Sequence, residues 1–450
     1  MPEQSARRMA GLSGVPWRAR AGTPIGMEMS RRFAQFDGLR ALAALAVLVF
    51  HAGLYTRAQE STSGLAPYLA RLNVGVALFF VISGFLLYRP LLAARAGLAK
   101  PRRARDYSRR RFLRIVPAYW VALTVLMVYP GLPDLPSPRI WVYYLFAQDY
   151  SARTLNDGIG PAWSLGCEVV FYALLPLLSG ALAWAGRRRV SWRLELAALT
   201  ALTALTVVYR VYLVSDPSRR PPSTFMATFG WFALGMMLAL ASVLAELNPG
   251  RAWAAVRAHA WLGWPCAATA YIVLCHGLRG HLGFFTPEDT RQQLEVYGLN
   301  GVIAAGLALP AVFEPQRPGR LARLLSWRPL SWLGLVSYGV YLYHVPIMVE
   351  LNRSISAPSR TSQLVLVAVS TALIAIAAAA LSYYLVERPA LRLARRRSYA
   401  SGSGARTMPA SARGQIRSSA VGANRLAVSS VPSPSAHARY DALKVAGDSA

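Results

Sequence analysis

The chain has 450 residues, 54% of them hydrophobic and only 15% charged, with a formal net charge of +29. Such a charge could suit nucleic acid, but the arginines sit in short connections between apolar runs, which argues against that partner. The runs are mainly apolar over about 18 or more residues, long enough for a ~30 Å hydrocarbon core, and lack the polar face of a soluble helix.

Residues 1–32 form a basic Gly/Ala/Arg segment without the apolar stretch of a signal peptide, and are expected to be disordered. Ten spans follow, at roughly 38–56, 73–92, 112–130, 162–185, 194–214, 224–246, 260–277, 297–314, 331–350 and 364–386. Residues 33–391 therefore read as one all-α, polytopic transmembrane helix bundle. Residues 392–450 are a basic Ser/Ala-rich tail, expected to be disordered. With the N-terminus inside, the inner segments hold 31 basic residues and the five outer connections 10. This asymmetry places both termini in the cytoplasm and the chain as a multi-pass protein of the inner or plasma membrane. The longest outer connection, 131–161, carries WVYYLFAQDY, suited to an interfacial or re-entrant element, and Trp163 is expected to mark the interface. Cys167, Cys266 and Cys275 lie in or beside apolar stretches without metal-ligand spacing, so neither a disulfide framework nor a metal site is expected.

Ionisable groups inside a bilayer are costly, and by default they face the bundle interior. The first span, FDGLRALAALAVLVFHAGLY, has only Asp37, Arg40 and His51. Arg40 and His51 are eleven residues apart, hence on one helix face and ~16 Å apart along the axis. Asp37 can pair with Arg40 at i,i+3. Arg40 could equally reach inner headgroups, and His51 could simply bond a neighbouring helix. An imidazole is nonetheless the side chain best suited to take a proton near neutral pH.

The fourth span opens PAWSLGCEVVFYALLPLL, which puts Glu168 in the outer leaflet, the layer expected for His51. A carboxylate there could orient the imidazole; a helix-to-helix hydrogen bond or a solvated mouth position is the alternative. In the second span, Ser83-Gly84 reads first as a small-residue packing notch, since a nucleophilic Ser83 would need an adjacent base. His344, in SYGVYLYHVPI of the ninth span, reads first as a core hydrogen-bonding group and second as a site-lining one. The inner connection 89–120 has ten basic residues. Of these, Arg109, Arg110, Arg111 and Arg114 lead into the third span and suit phosphate, whereas Arg102, Arg103 and Arg105 suit the positive-inside signal and lipid headgroups.

FDGLRALAALAVLVFHAG, FFVISGFLL, RRRFLRIVPAYW, WSLGCEVVFYALLPLL, SYGVYLYHVPI and VERP together resemble the acyltransferase-3 family of integral membrane O-acyltransferases, over most of residues 33–391. The resemblance implies about ten spans and transfer of a short acyl group from cytoplasmic acyl-CoA. The implied acceptor is a hydroxyl on a carbohydrate, an envelope glycan or a glycosylated metabolite. It matches Arg40 and His51 to the family's first helix, the four arginines at 109–114 to its third, and Trp163, Ser164, Leu165 and Glu168 to its WSL-Glu motif. GCEVV departs from the family, many of whose members have a more polar residue after the Glu.

The expectation is acyl-CoA as co-substrate with no bound cofactor, its phosphates on Arg109, Arg110, Arg111 and Arg114. His51 acts as base or transient acyl carrier, oriented by Glu168, along the Arg40 face. Asp37, Ser83, Trp163, Tyr172 and His344 are candidate lining residues. The rival reading is a proton-coupled multi-span transporter with Asp37, Arg40, His51, Glu168 and His344 as a relay.

Overall fold

A computed structural model describes residues 35–393 apart from short stretches, the longest being 215–222 and 278–289. The expected segment 1–32 lies outside the described residues, as does the expected tail 392–450 from residue 394 on, Arg392 and Leu393 being helical. All ten apolar runs are helical: α1 Gln35–Tyr55, α2 Val74–Arg95, α3 Ala104–Val128, α4 Trp163–Ala185 and α5 Trp192–Val214. Then come α6 Phe225–Leu247, α7 Gly263–His276, α8 Thr290–Val312, α9 Arg328–Ser354 and α10 Arg360–Ser382. A π-helical turn, Tyr383–Glu387, continues α10. No strand occurs among the described residues. The apolar runs form helices because a bilayer leaves the backbone no other partner for its N–H and C=O groups.

Nine of these helices are long and apolar enough to cross a membrane, one fewer than the ten expected spans. The exception is α7, with 14 residues. Its run is divided, because 251–259 forms a separate basic helix and 260–262 a 3₁₀ turn. The chain from the end of α6 to the end of α7, and not α7 alone, nonetheless returns past α2 from its end to its start. The preceding helix α6 ends where Arg89 near the end of α2 pairs with Glu246, at 2.5 Å. α7 finishes beside Tyr68, just ahead of α2, where His276 Nε2 lies 2.8 Å from the Tyr68 hydroxyl.

Close backbone approach sets the packing of the central helices. A Cβ on Gly84 would collide with the Phe232 carbonyl, and one on Gly235 with that of Val81, so parallel α2 and α6 touch through glycine. Around this crossing Phe80, Phe232 and Phe171 stack at 4.4 and 4.3 Å, joining α2, α6 and α4. Parallel α1 and α9 meet the same way, with Gly334 against the Asp37 backbone.

The connection before α4 is a folded insertion. Tyr119 donates to the Tyr143 carbonyl at 3.0 Å and Trp120 to that of Tyr144 at 2.9 Å, while Phe146 stacks on Tyr119 at 4.2 Å. Phe146, Gln148, Asp149, Ile159 and Ala162 are buried. The first turn of α4 rests on this insertion and meets Tyr341, the middle residue of α9. The Tyr341 hydroxyl donates to the Pro161 carbonyl at 3.1 Å and accepts from Ser164 at 2.8 Å. Trp163 therefore does not mark the end of the bundle: the insertion holds the start of α4 at mid-length of α9.

Gly84→Ala is expected to cost about 1–3 kcal/mol through overpacking, read as a lowered melting temperature in nanodiscs. Gly180→Ala, with open space around it, should leave the melting temperature unchanged. Burial of Asp149 pushes its carboxyl from an ordinary value of 3.8 up to about 7. Between those values the folded chain keeps a proton that the unfolded chain has released, so stability falls as pH rises through that window. Asp149→Asn should flatten this slope, measured as the difference in melting temperature between pH 5 and pH 8.

Candidate active site

Five helices enclose a cavity of about 690 Å³, counting its open mouth. α4 contributes Ser164, Glu168 and Tyr172, spaced by four and hence on one stripe. α3 contributes Arg111 and Arg114, α1 Arg40, α2 Ser83, and α9 Ser337, Tyr338 and Tyr341. The carboxylate of Glu168 accepts from Ser83 Oγ at 2.8 Å and from the Tyr172 hydroxyl at 2.7 Å.

The three guanidiniums are weakly engaged. Arg40 reaches Asp37 only at 3.5 Å, and Asp37 is itself 44% exposed and outside the lining. Arg111 lies 5.9 Å from the ring centres of both Tyr107 and Tyr172. Arg114 has no hydrogen-bond or ion-pair partner among the described residues. Among the lining residues three cations face one carboxylate, Glu168, which leaves spare N–H donors. Outside the lining, Asp37 pairs with Arg40 and Glu387 interacts electrostatically with Arg114. Guanidiniums with donors to spare have the chemistry to hold an anion such as a phosphate. The other two expected arginines stand outside it: Arg109 donates to the Leu393 carbonyl at 3.1 Å, and Arg110 is not part of the lining.

His51 does not line this cavity. Its Nδ1 lies 2.9 Å from the Val47 carbonyl and 3.1 Å from Nε2 of His344, and the two rings meet edge to face at 5.0 Å. His344 is buried, with its own Nδ1 2.8 Å from the Tyr341 carbonyl. Tyr341 thus stands between the two halves of the site, its ring on the cavity and its backbone on the histidine pair.

This arrangement departs from the expected pairing of His51 with Glu168. From the contact of Ser164 with Tyr341, Glu168 lies four residues along α4 and His344 three residues the opposite way along α9. That amounts to ~10 Å of axial separation. The low start of α4 is the cause, and it sets Glu168 level with the arginines instead of with His51.

Of the Ser83-Gly84 pair, Gly84 forms the expected packing notch, and Ser83 makes a hydrogen bond to Glu168 that was not foreseen. Trp163 packs edge-on to Phe80, 6.2 Å between centroids, outside the lining. Ser337 and Tyr338 were not foreseen as lining residues. The available signal was the stripe Tyr338, Tyr341, His344 at intervals of three on α9.

A helical membrane bundle with a basic internal cavity and a histidine pair defines a multi-pass membrane protein with the equipment of an enzyme. A family model described as an acyltransferase domain matches residues 33–385, and the chain belongs to this acyltransferase-3 family. It is 28% identical over 376 residues to a putative peptidoglycan O-acetyltransferase of Bacillus subtilis, covering 78% of this chain and 54% of that protein. With the peptidoglycan O-acetyltransferase of Listeria monocytogenes it shares 26% identity over 337 residues, 71% of this chain and 50% of the relative. Nodulation protein 10 of Rhizobium leguminosarum is 27% identical over 391 residues, 80% of this chain and 93% of its own length. The chain spans about half the length of the two peptidoglycan relatives. No solved structure gives a significant match.

Ser83→Ala and Tyr172→Phe each deprive Glu168 of a donor. Each is expected to cost about 1–3 kcal/mol of stability, less in a Glu168→Gln background, read from thermal unfolding of the single and paired variants.

Proposed function

We propose that this protein is an O-acyltransferase of the inner or plasma membrane that moves a short acyl group, acetyl or similar, from cytoplasmic acyl-CoA to a hydroxyl of an envelope glycan or another glycosylated acceptor. The observation that carries the reading is the cavity wall of Arg40, Arg111 and Arg114, three guanidiniums with donors to spare in a bundle of this family. The excess of arginine in the inner segments supports a cytoplasmic mouth and cytoplasmic termini. The relatives named as peptidoglycan O-acetyltransferases support an envelope glycan as acceptor.

In this mechanism Arg111 and Arg114 hold the CoA phosphates, and the pantetheine arm runs along the Arg40 face towards Tyr341. Glu168, fixed by Ser83 and Tyr172, is the counter-ion that keeps the three guanidiniums together before the donor arrives. His51 takes the proton of the acceptor hydroxyl as its oxygen attacks the thioester carbonyl. The C–S bond then breaks, and CoA leaves as a thiolate that regains the proton from His51.

The test uses purified protein in nanodiscs, acetyl-CoA, and peptidoglycan fragments as the acceptor probe. Arg114→Ala should raise the KM for acetyl-CoA about tenfold or more, the loss of roughly 1.5–3 kcal/mol from a charged hydrogen bond. His51→Ala should abolish transfer while acetyl-CoA still binds. Transfer by His51→Ala at the wild-type rate would overturn the reading.

A further inference from the structure

The hydrogen bonds around the histidine pair fix where its protons sit. His344 Nδ1 lies 2.8 Å from the Tyr341 carbonyl and 3.1 Å from that of Val340. A carbonyl oxygen can only accept, so this nitrogen carries the hydrogen, and in a neutral ring Nε2 is left with a lone pair. That lone pair faces His51 Nδ1 at 3.1 Å, and the other neighbour of His51 Nδ1 is the Val47 carbonyl at 2.9 Å. Both neighbours accept, so His51 Nδ1 bears a hydrogen shared between them. The proton on each ring is therefore on Nδ1, and the bare nitrogen at the end of the chain is His51 Nε2.

We infer that His344 is the positioning residue of the proposed reaction, holding His51 through Nδ1–H so that Nε2 stays bare for the acceptor hydroxyl. The inference rests on the reading of His51 as the base. In a hydrolytic triad a carboxylate holds the Nδ1–H of the base and favours its charged form. Here a neutral imidazole takes that place. When Nε2 of His51 accepts the hydroxyl proton, the ring becomes a cation and its Nδ1–H a stronger donor to His344 Nε2. No carboxylate among the described residues hydrogen-bonds either ring, and the nearest one assigned to the site, Glu168, is engaged by Ser83 and Tyr172. A neutral partner suits the location. His344 is 1% exposed, and a buried carboxylate there would bring a desolvation cost that an imidazole avoids. Its two backbone acceptors, on the same turn of α9, lock the ring so that its bare nitrogen points at His51 and not into the core.

Two measurements test this in nanodiscs. Nitrogen-15 spectra of histidine-labelled protein should show His51 protonated at Nδ1 and bare at Nε2; a proton on Nε2 in the resting state overturns the inference whatever the activity. In acetyl-CoA transfer to peptidoglycan fragments, His344→Leu should lower kcat about a hundredfold, within the range of a lost general-base contribution. The KM for acetyl-CoA should stay within twofold, since the donor cavity is not touched. His344→Gln places an amide oxygen where Nε2 stood and should recover at least a tenth of the wild-type kcat. Wild-type kcat in His344→Leu, or no difference between Leu and Gln at equal thermal stability, overturns the positioning role. An inactive wild type on this probe counts against the proposed acceptor, while the spectra still decide the proton placement.

Discussion

The site depends on one docking contact, the first turn of α4 against the middle of α9. Pro161 and Ser164 engage the hydroxyl of Tyr341 there, both bonds made in a buried environment. Hydrogen bonds in such surroundings are electrostatically stronger, and their loss leaves polar atoms without water to replace them. The contact therefore fixes the depth of α4, and with it the level of every side chain on the Ser164–Glu168–Tyr172 stripe. Were α4 to begin at the end of the bundle, Glu168 would lie beside the histidines and the three guanidiniums would face one another without their carboxylate.

The same contact explains why the site has two compartments. Cation and anion must lie close to offset one another, and Glu168 does so beside Arg40, Arg111 and Arg114. A neutral histidine pair needs no counter-ion and tolerates the apolar surroundings of α1 and α9. Tyr341 serves both sides without carrying charge. Glycine contacts between α2 and α6 and between α1 and α9 then hold the walls at a backbone spacing that larger residues would not permit.

Much of this was legible in the sequence, for identifiable reasons. The helices follow from apolar runs of membrane length, a signal independent of tertiary context. Arg40 and His51 stood out because few ionisable groups occur in the first span. The sequence offered Arg109, Arg110, Arg111 and Arg114 alike, and only the packing of α3 shows that two of them, Arg111 and Arg114, line the cavity. That His51 faces His344 and not Glu168 was not legible: the crossing of α1 and α9 joins the histidines, and the depth at which α4 starts keeps Glu168 away from them. That depth is set by the folded insertion over 131–162, whose aromatic residues read as interfacial while their packing on Tyr119 and Trp120 is tertiary. The shortness of α7 was hidden as well: 260–277 is mainly apolar, and hydropathy does not register a change from 3₁₀ turn to helix.

The histidine pair shows what hydropathy and motif reading leave undetermined. Two intramembrane histidines 293 positions apart can be independent core residues or one unit, and sequence spacing across different helices does not distinguish them. What joins them is that α1 and α9 run parallel and touch at Gly334 and Asp37, ten residues before His344 on one helix and fourteen before His51 on the other. The unequal intervals, ~15 and ~21 Å of helix rise, require the two axes to be inclined or offset for the rings to meet. The pair is thus a product of helix crossing, and the charge cluster is a product of helix depth. These separate geometric origins allow the basic cavity and the histidine pair to be positioned independently within one bundle.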